Sequence, residues 1–454
     1  MKSAIIHIAI ITMLAIPGGF ARAGDISQNE SLGSLIETAL ANNPELKSSQ
    51  ARWRMYVAKS AQAGTLDDPM FMFKLQNMLA REPFVFNKDP QSGKVIGISQ
   101  QLPFWGKRAI KEEMARYEAE SYKWSIEERK LELKRMVTET YYQIYAVDRA
   151  LEVVDKNITI LTDFTTIAES KYSVGQGAQQ DIFKAGLERS KMLDMQITLQ
   201  QQRKSLEANL NNLLFRPSAT PVGRVPDFEL PRIAQSPDQL RETAFEKRPQ
   251  IKSLIMQANK GMAGHRLARK EFYPDINLSL EYMFREASMN DPGFNMVSLG
   301  MTFNLPFQQA KRQAMLAESS SETDMTMEEL NGLKSTISYA INDTLAQLER
   351  RRKQVELYKG GIIPQAEQSL ESAVISYRVN KVDFLTLLDG RLTLFNYERE
   401  LYESRAEYMM KLAQLEAAIG TSLGSDQAAR VPSPPHQPMA PVPAAPASEH
   451  THTH

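Results

Sequence analysis

The stretch PDINLSLEYMFREASMNDPGFNMVSLGMTFNL, Pro274 to Leu305, holds two segments of strict alternation joined by a short polar loop. In the first, Ile276, Leu278, Leu280, Tyr282 and Phe284 alternate with Asp275, Asn277, Ser279, Glu281 and Met283. In the second, Val297, Leu299, Met301, Phe303 and Leu305 alternate with Ser298, Gly300, Thr302 and Asn304. Side chains of a strand point to opposite faces with period two, so each segment has one apolar and one polar face. About ten residues is the length a tilted strand needs to cross a bilayer. Asp275 and Glu281 on the polar face suit a wet lumen, and the pattern is that of an outer-membrane barrel, apolar outward and polar inward. Taken alone, the pair also fits a soluble hairpin with one solvated face.

The pair has a copy. From Pro69, Phe71, Phe73 and Leu75 alternate with Met70, Met72, Lys74 and Gln76. After a longer loop, Ile96, Ile98 and Leu102 alternate with Val95, Gly97, Ser99 and Gln101. The repetition extends beyond the strands. Leu35, Glu37, Thr38, Ala39, Pro44, Lys47 and Ser48 recur as Leu240, Glu242, Thr243, Ala244, Pro249, Lys252 and Ser253, a constant offset of 205. The same offset carries Pro69 to Pro274, Tyr172 to Tyr377 and Val174 to Val379. Leu102-Pro103-Phe104 recurs as Leu305-Pro306-Phe307, and Lys107-Arg108 as Lys311-Arg312. One offset held over scattered identities marks a tandem duplication.

Long helices follow each strand pair. From about Ala109 to Val174 the chain has neither Pro nor Gly and is rich in good helix formers. One helix of that length measures about 100 Å, too long for a compact globule and suited to crossing a compartment. Gly175-Gln176-Gly177 turns it into a return helix, from about Gln179 to Phe215. The second long helix covers about Ala310 to Val379, with breaks expected at Gly332 and at Gly360-Gly361 before Pro364. Charge pairs at i,i+4, such as Glu112–Arg116 and Glu349–Lys353, suit solvated helix faces and by themselves fit a coiled coil.

The chain therefore divides as follows. Residues 1–23 read as a secretory signal: Lys2, an apolar run from Ile5 to Ile16, and Ala21-Arg22-Ala23 as the cleavage site. Residues 24–215 form the first repeat, with a strand pair at about 69–102 and a helix hairpin at about 109–215. A Pro-rich linker, 216–236, follows. Residues 237–424 form the second repeat, with a strand pair at about 274–305 and a hairpin at about 310–422. The tail, 425–454, is too poor in large apolar residues to fold.

Composition removes several functions. Lys plus Arg and Asp plus Glu number 54 each, so no basic excess drives nucleic-acid binding. There is no cysteine, hence no disulfide, thiolate metal site or cysteine nucleophile. Of six histidines only His265 lies in the folded body, and no zinc-protease, nucleophile-elbow or phosphate-loop motif occurs. No enzyme and no cofactor are expected. In the tail, His436, Met439, His450, His452 and His454 are candidate soft-metal ligands, or incidental residues of a flexible segment.

Four membrane strands cannot close a barrel, and unpaired edges are not tolerated in hydrocarbon, so the chain must oligomerise. The order short helix, helix, strand pair, long hairpin, duplicated, resembles the TolC-like outer-membrane efflux family over roughly residues 30–422. The stretch Tyr377-x-x-Asn380-x-x-Asp383-Phe384-Leu385-x-x-Leu388-Asp389 is similar to that family's helix-hairpin turn, and the first repeat gives Tyr172-x-x-Gly175 followed by Asp181. Asn380 stands where the family usually has Gly, and Asn tolerates the left-handed conformation the turn needs. The Leu-Pro-Phe-Trp-Gly-Lys-Arg segment from Leu102 looks closest to the heavy-metal, CzcC- and CusC-like branch.

The resemblance implies a mainly α fold with membrane β: a homotrimer with a twelve-stranded barrel in the outer membrane and an α-helical tunnel through the periplasm. It implies a passive exit duct, in contact with outer-membrane lipid, docked to a periplasmic adaptor and an inner-membrane pump. The hairpin turns at Gly175, Gly177, Asn380 and Lys381 would meet the adaptor. Under three-fold symmetry each inward-facing Asp becomes a ring of three carboxylates, a cation-selective constriction. For Asp181 and Asp383, a helix-capping role is equally open. Asp389 lies too far into its helix for a cap and resembles the family's aperture carboxylate, although Thr386 replaces a further Asp. Tyr377 is expected either to lock the closed mouth by hydrogen bonds or to pack between helices. The rival from another class is a soluble periplasmic coiled-coil or adaptor protein, which has no use for lipid-facing strands.

Overall fold

A computed structural model describes residues 30–423. The signal (1–23) and the tail ligands His436, Met439, His450, His452 and His454 lie outside the described residues. The first repeat comprises α1 (Leu32–Asn42), α2 (Pro44–Ala63), β1 (Met70–Gln76), β2 (Gly93–Leu102), α3 (Lys107–Ser173) and α4 (Gln179–Leu213). The second comprises α5 (Pro237–Lys247), α6 (Pro249–Lys270), β3 (Ile276–Phe284), β4 (Met296–Phe303), α7 (Gln309–Leu357), a π-helical turn (Tyr358–Ile362), α8 (Ile363–Arg378) and α9 (Phe384–Ile419). The duplication reaches down to the helix caps. Ser31 and Ser236, 205 residues apart, each accept a hydrogen bond from the third backbone amide that follows, satisfying a donor the helix cannot. Pro44 and Pro249 each open the next helix, where a missing N–H costs nothing.

The strands form one antiparallel sheet in the order β1-β2-β3-β4, so the two repeats meet at β2 and β3. Register aligns whole rows of side chains. Phe71, Ile98, Leu280 and Leu299 face one another across all four strands, as do Phe73, Ile96, Tyr282 and Val297. The opposite face carries the row Met72, Gly97, Glu281 and Ser298. In β3 the apolar Leu280, Tyr282 and Phe284 are exposed and the intervening Glu281 and Met283 are half-buried, the reverse of a water-soluble sheet. β1 spans the 7 residues that alternate, Met70–Gln76, whereas β4 has 8 residues and ends at Phe303, two short of the alternation.

Asp275 departs from its expected place in a wet lumen. It sits at the junction of strand and helix, where it accepts the Phe104 amide at 2.7 Å and the Lys107 ammonium at 2.9 Å. Lys107 is itself buried and also reaches Glu271 at 3.1 Å. The local Leu-Pro-Phe-Trp-Gly-Lys-Arg segment thus anchors the first repeat's long helix to the second repeat's strand. Phe104 stacks on Tyr273 beside this anchor, and Trp105 points outward, suited to a membrane–water interface.

The helix α3 runs unbroken for 67 residues, about 100 Å. Its counterpart α7 passes through Gly332 without a break and yields only at Tyr358–Ile362, where the two glycines precede Pro364. Glu349 and Lys353 do pair, at 2.7 Å, whereas Arg116 lies over Tyr117 and its neighbour Glu113 pairs with Arg266. Residues 216–236 are more than a spacer: Val222, Val225 and Phe228 pack into the core around Tyr141, Tyr142 and Tyr145. Asp227 fixes the segment by accepting the Tyr145 hydroxyl at 2.7 Å and pairing with Arg405 at 2.8 Å. No helix among the described residues is long and apolar enough to cross a membrane.

Candidate functional site at the hairpin ends

The two hairpin turns have the same backbone. Gly175 and Asn380 both take left-handed φ, 73° and 60°. Each donates its amide to the preceding tyrosine carbonyl, Tyr172 at 3.0 Å and Tyr377 at 3.2 Å. The following residues, Gln176 and Lys381, donate back to Lys171 and Ser376, both at 2.9 Å. These bonds satisfy the last carbonyls of α3 and α8. Asn380 therefore does in the second repeat what Gly175 does in the first. Gly177 serves by its smallness, since a methyl there would stand 3.0 Å from the Lys171 Cβ.

Behind the turns lies an apolar core shared by both hairpins, including Phe164, Ala168, Ala185, Tyr377, Phe384 and Leu388. It holds the α3–α4 pair against α8–α9. Tyr377 packs its ring against Phe384, with centroids 5.6 Å apart, and its hydroxyl has no hydrogen-bond partner among the described residues. Burial first, and the Asp181 carboxylate second, push the Tyr377 phenol above its ordinary pKa. Of the two roles open to Tyr377, packing is the one made within a single chain.

A residue that the sequence did not single out ties the turns together. Lys171, in the last turn of α3, donates to the Tyr377 carbonyl at 2.6 Å and to the Asn380 side-chain oxygen. Its ammonium also lies 4.4 Å from the centre of the Tyr377 ring. A cation at a helix C-terminus is a recognisable signal, because it complements the exposed carbonyls. The offset offered no help, since Ser376 stands at the matching position.

The three carboxylates part company. Asp383 is the N-cap of α9 and accepts the Thr386 amide at 2.8 Å; hydrogen bonds from Thr386, with Lys184 nearby, hold it below the ordinary aspartate range. Asp181 is half-buried in the first turn of α4, on the side of Tyr377. Asp389 is exposed on α9. Lys381 projects into solvent. Among the described residues no three His, Cys, Asp or Glu side chains gather as a metal site, and His265 lies beside the Ser319 hydroxyl, 3.3 Å away.

Farther along, α9 is joined to α3 by a buried polar tie. Arg391, 1% exposed, donates to Asn157 at 2.6 Å and lies 3.4 Å from Glu398, which also meets Lys156 at 2.7 Å.

A sheet with its apolar face outward, carried on two repeats of long helices, has few homes. The profile described as "Outer membrane efflux protein" matches this chain twice, over residues 35–214 and 240–421. The chain belongs to that family. It is an outer-membrane efflux channel, working with other efflux components, and it shares its fold with channel proteins rather than with enzymes. Among its relatives, the cobalt-zinc-cadmium resistance protein CzcC of Cupriavidus metallidurans is 23% identical over 64% of this chain and 66% of its own. The putative multidrug resistance outer membrane protein MdtQ of Escherichia coli is also 23% identical, over 76% of this chain and 77% of its own. The solved structure of CusC superposes with a TM-score of 0.72 at 15% identity, covering 88% of this chain and 96% of that one. The soluble-adaptor alternative is set aside by the family and by the outward apolar face of the sheet.

Proposed function

We propose that three copies of the chain close a twelve-stranded barrel in the outer membrane, continued into the periplasm as a tube of long helices. The observation that carries this reading is the sheet itself: its outward face is apolar while β1 and β4 each keep one edge unpaired. In hydrocarbon an open edge leaves backbone groups unsatisfied, at several kcal/mol each, so β4 of one copy must pair with β1 of the next. Two copies would give eight strands, whose interior side chains fill; a duct needs more. The mass of the detergent-solubilised assembly tests the reading, with three chains expected and one or two chains contradicting it.

The hairpin turns at Gly175, Gly177, Asn380 and Lys381 dock to a periplasmic adaptor, and through it to an inner-membrane pump. Asp181, Asp383 and Asp389 then surround the periplasmic opening, Asp389 as an exposed charge with no capping role. Such a ring suits a cationic cargo. The cargo we infer is a heavy-metal cation, supported by those carboxylates and by the resemblance to CzcC. A deletion strain challenged with transition metals and with lipophilic drugs separates this from the multidrug role that MdtQ's name suggests. Metal hypersensitivity is expected, and sensitivity to drugs alone would overturn the metal assignment.

A further inference from the structure

The inner face of a membrane barrel is ordinarily polar, yet three successive rows of this one carry thioethers. Register puts Met70 on the row of Ser99 and Ser279, Met72 on the row of Gly97 and Glu281, and Met283 with Met296 on the row of Val95, at whose far end stands Lys74. Successive rows on one face lie about 7 Å apart. The side chains are not turned away at random. A methyl placed on Gly97 would stand 3.2 Å from the Met72 Cε and 3.2 Å from the Glu281 Cγ, so thioether and carboxylate flank one small residue. Likewise a methyl on Gly93 would stand 2.5 Å from the Met283 Cε. Met283 and Met296 are direct cross-strand partners, whose Cβ atoms in such a pair are about 5 Å apart.

We propose that Met70, Met72, Met283 and Met296 form a ladder of soft-ligand steps along the lumen for monovalent Cu(I)- or Ag(I)-class cations, with Glu281 supplying compensating charge. Thioethers are neutral and polarisable, and they favour Cu(I) over the harder divalent ions. Steps with one or two thioethers each hold an ion weakly, as conduction through successive sites requires. The competing explanation is that methionine merely fills gaps over the glycines, a task that leucine performs equally well. The proposal rests on the exit-duct reading, which makes this face the path of the cargo.

The test uses the full-length protein, labelled with 13C-methyl methionine, in lipid nanodiscs and nitrate buffer. Titration with Ag(I) should shift the methyl signals of the four luminal methionines and leave that of Met301, on the lipid face, unmoved. Zn(II) should shift none of the four. A variant with all four changed to leucine should lose at least tenfold in its luminal Ag(I) affinity, read as Ag(I) block of conductance, while its potassium conductance persists. Absent shifts, equal shifts at Met301, or undiminished Ag(I) block in the quadruple variant would overturn the ladder. Potassium conductance in the same preparation tests the duct separately: conduction without silver shifts leaves the duct standing and removes the ladder, and absence of conduction removes both.

Discussion

In the sheet Leu299 is 81% exposed and Val297 67%, whereas at the hairpin ends Phe384 is 2% exposed and Leu387 1%. The side chains are of one chemical kind and differ in the solvent they meet. Helices in water turn their apolar residues toward one another, and the shared core behind the turns results. Strands in hydrocarbon turn them outward and keep small or polar residues inside. The polar ties divide in the same way. The inner face of the sheet lines up polar side chains across strands, as Gln101, Asn277 and Thr302 do, while the helical body links its charges across helices, as Arg391, Asn157 and Glu398 do.

That contrast can be broken at defined places. The largest effect is expected in the helical body. Arg391→Ala opens a cavity where the buried guanidinium stood and leaves the buried Asn157 oxygen without its donor, while Glu398 keeps Lys156; together these cost about 3–5 kcal/mol. Denaturant titration of the helical signal should show it. In the sheet, Leu299→Arg and Ser298→Arg place one charge on neighbouring residues of opposite face. The first should cost about 2–4 kcal/mol per chain near the bilayer centre and reduce the amount assembled in the membrane, read by heat-modifiable mobility on gels. The second should assemble normally and change only conductance. Equal outcomes for the two would remove the assignment of faces.

A smaller effect is expected at the turns. Lys171→Met removes the hydrogen bonds to Tyr377 and Asn380, at about 1 kcal/mol. Hydrogen exchange at the amides of Asn380 and Lys381 should quicken several-fold, while that at Gly175 changes little. The smallest effect concerns pH. Burial raises the Asp227 pKa, but the Tyr145 hydroxyl and Arg405 outweigh it, and the net direction is downward. The docking of residues 216–236 should therefore be fully supported above the ordinary aspartate pKa of about 4 and weaken as pH falls through the lower folded value. Limited proteolysis of this segment as a function of pH should show the onset, and Asp227→Asn should flatten it.

Much of this architecture was legible because the duplication repeats local signals. The offset of 205 carries Ser31 to Ser236 as caps, Pro44 to Pro249 as helix starts and Gly175 to Asn380 as left-handed turn residues. Strand faces were legible from period two alone. Contacts that break the repeat were not. Lys171 has Ser376 at its matching position, and its partners lie more than 200 residues away. Alternation put Asp275 on the wet face, because nothing local foretells that Lys107 closes over it. The Pro-rich composition of 216–236 concealed the apolar spacing of Val222, Val225 and Phe228, which does mark a docked face. Among the carboxylates, the capping role of Asp383 follows from its place just before α9, while an exposed Asp389 is distinguished only by being free of that duty.

Single-channel recording of the purified assembly in planar bilayers tests the central claim most directly. The account predicts cation-selective conductance that multivalent cations block from the side of the helical mouth, with the block weakened in Asp389→Ala. Absence of conductance would contradict the duct, and block unchanged in the combined Asp181→Ala, Asp383→Ala and Asp389→Ala variant would contradict the carboxylate opening.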